Sequence, residues 1–165
     1  MIVYLKRVGL FVVLILLQVL ILNNIHIYGY GTPFLYIFFL LIYSSNASKN
    51  TLMLWAFLMG LIIDTFTNTP GINAASATIM AFIRNPILNS FTLHDNNDIF
   101  EPGISSMGLN SFIKYSVALT LIFCICLQLL NSFSFFDPIQ LLIKILTDTL
   151  STAICILCVD AVWRR

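Results

Sequence analysis

Long apolar runs broken by short polar or turn-forming stretches fill the chain from one end to the other. They predict six helical spans, at about residues 8–22, 33–43, 52–66, 71–83, 115–133 and 138–163, although several fall short of the ~20 residues of a straight bilayer crossing. The second is opened by Gly29-Tyr30-Gly31-Thr32, so residues 25–30 are expected to help complete it or to lie at an interface. The fourth carries small residues four apart, in Gly71 and Ala75, Ala74 and Thr78, Ala77 and Ala81. Such spacing lets helices approach closely where lipid offers little hydrophobic drive for association. The longest polar connection, residues 84–114, is expected to be a solvated loop; its Asp95, Asp98 and Glu101 do not follow the ligand order of a calcium loop.

Composition turns this pattern into a class. The 165 residues are 59% hydrophobic and 9% charged, against roughly 25% charged in soluble domains. The expectation is an all-α integral membrane protein, a single domain over residues 1–165. A net charge of +1 offers no basic surface for nucleic acid. Lys6-Arg7 before an apolar run is reminiscent of a signal peptide, but Asn23-Asn24-Ile25-His26 stands where small residues would mark cleavage. A retained first helix is therefore expected.

Cations set the orientation, because Lys and Arg are held on the cytoplasmic side. With six spans and the N-terminus inside, Lys6, Arg7, Lys49, Arg84, Lys114, Arg164 and Arg165 all fall inside. The outer connections, 23–32, 67–70 and 131–137, contain no Lys or Arg. The predicted topology is N-in and C-in.

Three ionisable residues fall within predicted spans: Asp64, Lys144 and Asp148. At the rise of an α-helix, Asp64 lies about 20 Å along an outward-going helix, roughly 10 Å below the outer face. Lys144 lies at about 9 Å from the same face on an inward-going helix, and Asp148 follows it by one turn. An Asp64–Lys144–Asp148 cluster is expected, with Gln140 and Asn68 as polar neighbours, since burying any of these charges alone is costly. A structural clamp and part of a substrate or ion pathway both fit such a cluster.

Other chemistry is sparse. Cys155 and Cys158 have C-x-x-C spacing, yet apolar neighbours would solvate a thiolate poorly, and Cys124 and Cys126 read in the same way as small apolar fillers. No nucleophile–base set accompanies His26 or His94, and no phosphate-binding glycine loop is present. Neither an enzyme nor a bound metal or cofactor is expected.

Lys6-Arg7, Leu17-Gln18-Val19, Leu22-Asn23-Asn24-Ile25, Gly60-Leu61-Ile62-Ile63-Asp64 and Thr69-Pro70-Gly71 together resemble the rod shape-determining membrane protein MreD family, in a version similar to those of Bacteroidetes. The resemblance covers essentially the whole chain in length, span count and orientation. It implies a bacterial inner-membrane adaptor of the cell-elongation machinery, without chemistry of its own. The partners it implies are a bitopic MreC-like protein, an MreB-like filament, and the peptidoglycan-synthesising pair of a SEDS glycosyltransferase and a transpeptidase. Gly60, Asp64, Pro70 and Gly71 match the family signature: Gly60 for close helix approach, Asp64 for a buried polar contact, Pro70-Gly71 for the outer turn. The family's fold is related to the six-helix S components of energy-coupling-factor transporters, so a substrate-binding component of a vitamin-type transporter is the rival expectation. That rival would need a polar cavity open to the outside, lined by residues such as Asp64, Asn68, Asn73 and Lys144. Aromatic residues of the second span, Phe34, Tyr36, Phe38 and Phe39, are a candidate partner surface, although facing lipid is the ordinary role of such residues.

Overall fold

The computed structural model describes residues 2–24, 31–92, 100–132 and 138–163. These form α1 (Ile2–Leu20), a 3-10 turn (Leu22–Asn24), a short α2 (Ile37–Ile42), α3 (Lys49–Thr67), α4 (Ile72–Phe91), a one-turn α5 (Ile104–Met107), α6 (Leu109–Asn131) and α7 (Pro138–Trp163). The fold is all-α. Helices α3 and α4 make the most extensive pair, α4 packs on α6, α6 on α7, and α1 on α3.

Burial departs from that of a water-soluble domain, because polar groups share the apolar core while large apolar side chains cover much of the surface. Gln18, Asp64, Asn73, Arg84, Gln128, Asp148 and Asp160 are buried, whereas Val13, Leu20, Leu54, Phe66, Phe82, Leu142, Leu150 and Ile154 are exposed. Apolar surface on this scale is costly in water, and ionisable groups within membrane helices face the bundle interior. Among the described residues three helices are long and apolar enough to cross a membrane: Lys49–Thr67, Leu109–Asn131 and Ile139–Val162.

Three helices meet that measure where the apolar pattern predicts six spans. The apolar part of α1 is the shorter stretch Arg7–Leu20. The predicted second span contains only six helical residues, led by a non-helical stretch from 31 to 34, and six residues rise about 9 Å. Helix α4 does not stop at residue 83: it continues through Arg84, Asn85 and Pro86 to Phe91. A proline usually marks a helix boundary at the residue before it, but here packing overrides that signal, with Arg84 and Leu88 both buried. The connection predicted over 84–114 is correspondingly shorter, because α6 starts at Leu109. Part of what remains is folded against the bundle: Ser45 and Phe100 exchange backbone and side-chain bonds, and Ile104 N–H donates to Asp160 at 2.9 Å. His94, Asp95 and Asp98 lie outside the described residues.

Helix α2 is the buried axis of the bundle, with Ile37 to Leu41 at most 1% exposed. Phe39 meets Phe11 and Trp55 with ring centroids 5.7 and 5.9 Å apart, while Phe34 and Tyr36 meet Phe123 at 5.5 and 5.8 Å. Phe34, Tyr36, Phe38 and Phe39 are therefore core residues that face neither a partner nor lipid. The four cysteines are free thiols, Cys124 buried and Cys158 exposed.

Candidate functional site

The α3–α4 hairpin is organised by a carboxylate that caps a neighbouring helix. The first N–H groups of any α-helix lack intrahelical acceptors, and a side-chain oxygen at the N-cap normally takes one of them. The residue before α4 is Gly71, with φ +80° and no side chain. Asp64 of α3 supplies the missing acceptors. Its Oδ1 accepts from the Asn73 N–H at 3.0 Å, Asn73 Nδ2 at 2.9 Å and Thr69 Oγ1 at 2.8 Å, and its Oδ2 accepts from the Ala74 N–H at 2.9 Å. The positive end of the α4 dipole stabilises the charge.

Helix α3 must come unusually close for this reach. A Cβ on Gly60 would stand 2.4 Å from Ala74 Cα and 2.6 Å from Ala74 N, so the two backbones touch at that point. One turn later Asp64 meets the start of α4. The small residues of α4 divide between its faces: Ala74, Ala77 and Ala81 are buried, while Ala75 is half-buried. Pro70 is exposed in the turn, and Asn68 closes α3 in the left-handed conformation, its N–H donating to the Asp64 carbonyl.

A second polar set holds the non-helical lead into α2. Backbone groups without helical partners are tolerated at membrane depth only where protein groups satisfy them. Thr32 N–H donates to Asp148 Oδ1 at 2.9 Å, Phe34 N–H to Thr152 Oγ1 at 3.0 Å, and Leu35 N–H to Gln18 Oε1 at 2.8 Å. Gln18 Nε2 returns a bond to the Pro33 carbonyl at 3.0 Å, and Gln128 Nε2 donates to Asp148 Oδ2 at 2.6 Å. At the other end of α2, the guanidinium of Arg84, fully buried, donates to the carbonyls of Leu41 and Tyr43. Tyr115 O–H reaches the Leu41 carbonyl at 3.1 Å. Cations suit a helix C-terminus for the same electrostatic reason that carboxylates suit an N-terminus.

Of the expected Asp64–Lys144–Asp148 cluster, Lys144 and Asp148 are near enough for their charges to interact, but neither carboxylate forms an ion pair with Lys144. Among the described residues the one ion pair is Arg7–Glu101, at 3.5 Å, and none joins Lys144 to either carboxylate. The physical reason is that both carboxylates already have donors: Asp64 the N-terminus of α4, Asp148 the lead into α2. Gln140 and Asn68 are both exposed. Sequence reading passed over Gln18, Thr152, Gln128 and Tyr115 as site residues and placed Arg84 in solvent. Their signal is the polar residue inside an apolar span, which is expensive unless it has a partner.

Lys144, half-buried, instead faces a cavity of about 230 Å³ at one end of the bundle. Its walls include Thr69 and Asn73, which bind Asp64, and Thr32 and Gln128, which bind Asp148. Asn23 and Asn131 bring further side-chain amides, and Phe34, Ile72 and Leu127 an apolar side. Among the described residues no three His, Cys, Asp or Glu side chains converge on a metal site. His26 and His94 lie outside the described residues. The chain matches no family model, no curated protein and no solved structure.

Proposed function

We propose that this chain is a multi-pass membrane scaffold of the MreD type, an adaptor in the complex that elongates the bacterial cell wall. What supports the reading is the α3–α4 hairpin, in which three of the four signature residues have a geometric task. Gly60 admits the backbone of Ala74, Asp64 caps α4, and Gly71 takes the positive φ of the turn. Buried polar groups engaged in holding helices to one another suit a rigid framework for partner binding without chemistry of its own.

In this reading the chain crosses the inner membrane six times with both termini inside. The lead into α2 and α2 itself form one broken span, and α4 is another. Arg7 and Tyr43 are in contact, and Arg84 binds the Tyr43 carbonyl; Lys49 is the first residue of α3, and Lys114 lies in the second turn of α6, beside Tyr115, which meets Arg84 at the Leu41 carbonyl. Such a grouping of cations is what cytoplasmic retention produces. The partners are the MreC-like bitopic protein, the MreB-like filament, and the SEDS glycosyltransferase with its transpeptidase.

Purification of a tagged copy from its own membrane in mild detergent tests this. Recovery of a bitopic MreC-like protein with a SEDS synthase is expected. Recovery instead of a transmembrane coupling protein with paired ATPases would replace the scaffold with the transporter component.

A further inference from the structure

We propose that α2 and its lead act as a coupling element, carrying a displacement of the lead at one end of the bundle to residues 43–45 at the other. The coupling belongs to the chain alone, and is present or absent whichever partners are recovered with it. It rests on how the two ends of α2 are held.

The described residues on either side of α2 do not continue its helix. Before it, residues 31–34 are non-helical; after it, Tyr43 is extended, with φ −60° and ψ 145°. Side chains of other helices anchor both ends instead. At the first end, acceptors from α7 and α1 take the N–H groups of Thr32, Phe34 and Leu35, and Tyr36 O–H donates to Asn73 Oδ1 at 3.1 Å. That bond orients the amide whose Nδ2 serves Asp64 and Thr69. At the second end, Arg84 serves the carbonyls of Leu41 and Tyr43, and Tyr115 that of Leu41.

What lies between is short and stiff. Pro33 fixes one backbone angle of the lead. The Phe38 and Phe39 N–H groups bond back to the Leu35 and Tyr36 carbonyls at 2.9 and 3.2 Å, so no free hinge separates the lead from the helix. The six helical residues rise about 9 Å, and a displacement at one end is felt at the other. Beyond α2 the contacts continue. The Tyr43 ring lies 4.7 Å from the Arg7 guanidinium, Arg7 pairs with Glu101, and Ser45 N–H donates to the Phe100 carbonyl at 2.9 Å. Bonding at this end is also incomplete. Arg84 Nε is buried without an acceptor among the described residues, a cost that a small movement of the last turn toward it would recover.

Hydrogen exchange of the full chain in detergent tests the coupling. Thr152→Val keeps the shape of the side chain and removes the acceptor of Phe34. It is expected to speed exchange at the Ser45 amide at least about threefold, together with that at Phe34. Exchange at Met59 and Ile63 in α3 should not change, which separates coupling from general loosening. Thr152→Ser keeps the acceptor and should leave Ser45 as it is in the unaltered chain. Because coupling is reciprocal, Arg84→Met should speed exchange at Phe34 by a similar factor. Acceleration in Thr152→Val that does not reach Ser45, or that extends equally to α3, would overturn the proposal. So would unchanged exchange at Phe34 in Arg84→Met.

Discussion

Asp64 and Gly60 carry the sharpest consequences at the scale of single residues. Asp64→Ala leaves the Asn73 and Ala74 N–H groups buried without an acceptor, adding the loss of a cap to that of two charge-assisted bonds. The expected loss is about 2–4 kcal/mol of unfolding free energy, read from denaturant titration in detergent. Asp64→Asn keeps one carbonyl oxygen for a backbone N–H and should lose roughly half as much. An equal loss for both variants would show that the charge, not the acceptor geometry, matters. Gly60→Ala puts a methyl against backbone atoms, which cannot rotate away, and should cost about 1–3 kcal/mol by pushing α3 from α4. Gly9 is the internal control, because a Cβ there meets nothing within 4 Å. Gly9→Ala should be neutral or stabilise by up to about 1 kcal/mol, since glycine is the poorer helix former.

At the scale of elements, the broken second span determines what could be read in advance. The α3–α4 hairpin was legible because its determinants are local: an apolar run, a carboxylate one turn after Gly60, then a Pro-Gly turn. The unwinding of residues 31–34 was not, because its acceptors lie far along the chain in Gln18, Asp148 and Thr152. No pattern over 33–43 announces that the chain buries extended backbone there. Arg84 misled for a related reason, since an arginine before Asn-Pro reads as a solvated helix end until the carbonyls of residues 41 and 43 are seen beneath it. The Asp64–Lys144 pair failed because depth alone does not reveal that a helix N-terminus has already satisfied the carboxylate. If these side chains hold α2, Gln18→Leu should speed hydrogen exchange at the Leu35 amide by at least about tenfold, a loss of some 1.4 kcal/mol of local protection. Arg84→Met leaves the Leu41 carbonyl with Tyr115 alone and should loosen the C-terminal end of α2. Unchanged exchange at residue 35 in Gln18→Leu would show that packing of the aromatic cluster suffices.

At the scale of the whole molecule, the proposed six crossings have a consequence for which helix ends share a side of the membrane. Counting only the three long apolar helices gives alternating crossings by α3, α6 and α7, with the segment from 68 to 108 on one side. The start of α6 would then share a side with the end of α3, and Asn110 would share a side with Asn68. The structure places the helix ends otherwise: Thr67, Thr69 and Asn131 line one cavity, while Arg84 and Tyr115 meet at the Leu41 carbonyl. Helix α4 therefore runs the depth of the bundle between them, and its 20 residues rise about 30 Å, the thickness of the hydrocarbon core. Its low hydropathy has a structural cause. Asn73, Ser76 and Arg84 are polar but buried, and the residues it exposes, such as Ile79 and Phe82, are apolar. Cysteines at the exposed positions Asn46, Asn68, Asn110 and Asn131 separate the two arrangements when labelled with an impermeant maleimide in intact and permeabilised cells. If α4 crosses, Asn68 and Asn131 label together, and Asn46 and Asn110 label together from the opposite side. With the N-terminus inside, the first pair is reached in intact cells and the second only after permeabilisation. Pairing of Asn68 with Asn110 would leave α4 outside the membrane and undo the proposed six-span arrangement, which needs two crossings between α3 and α7.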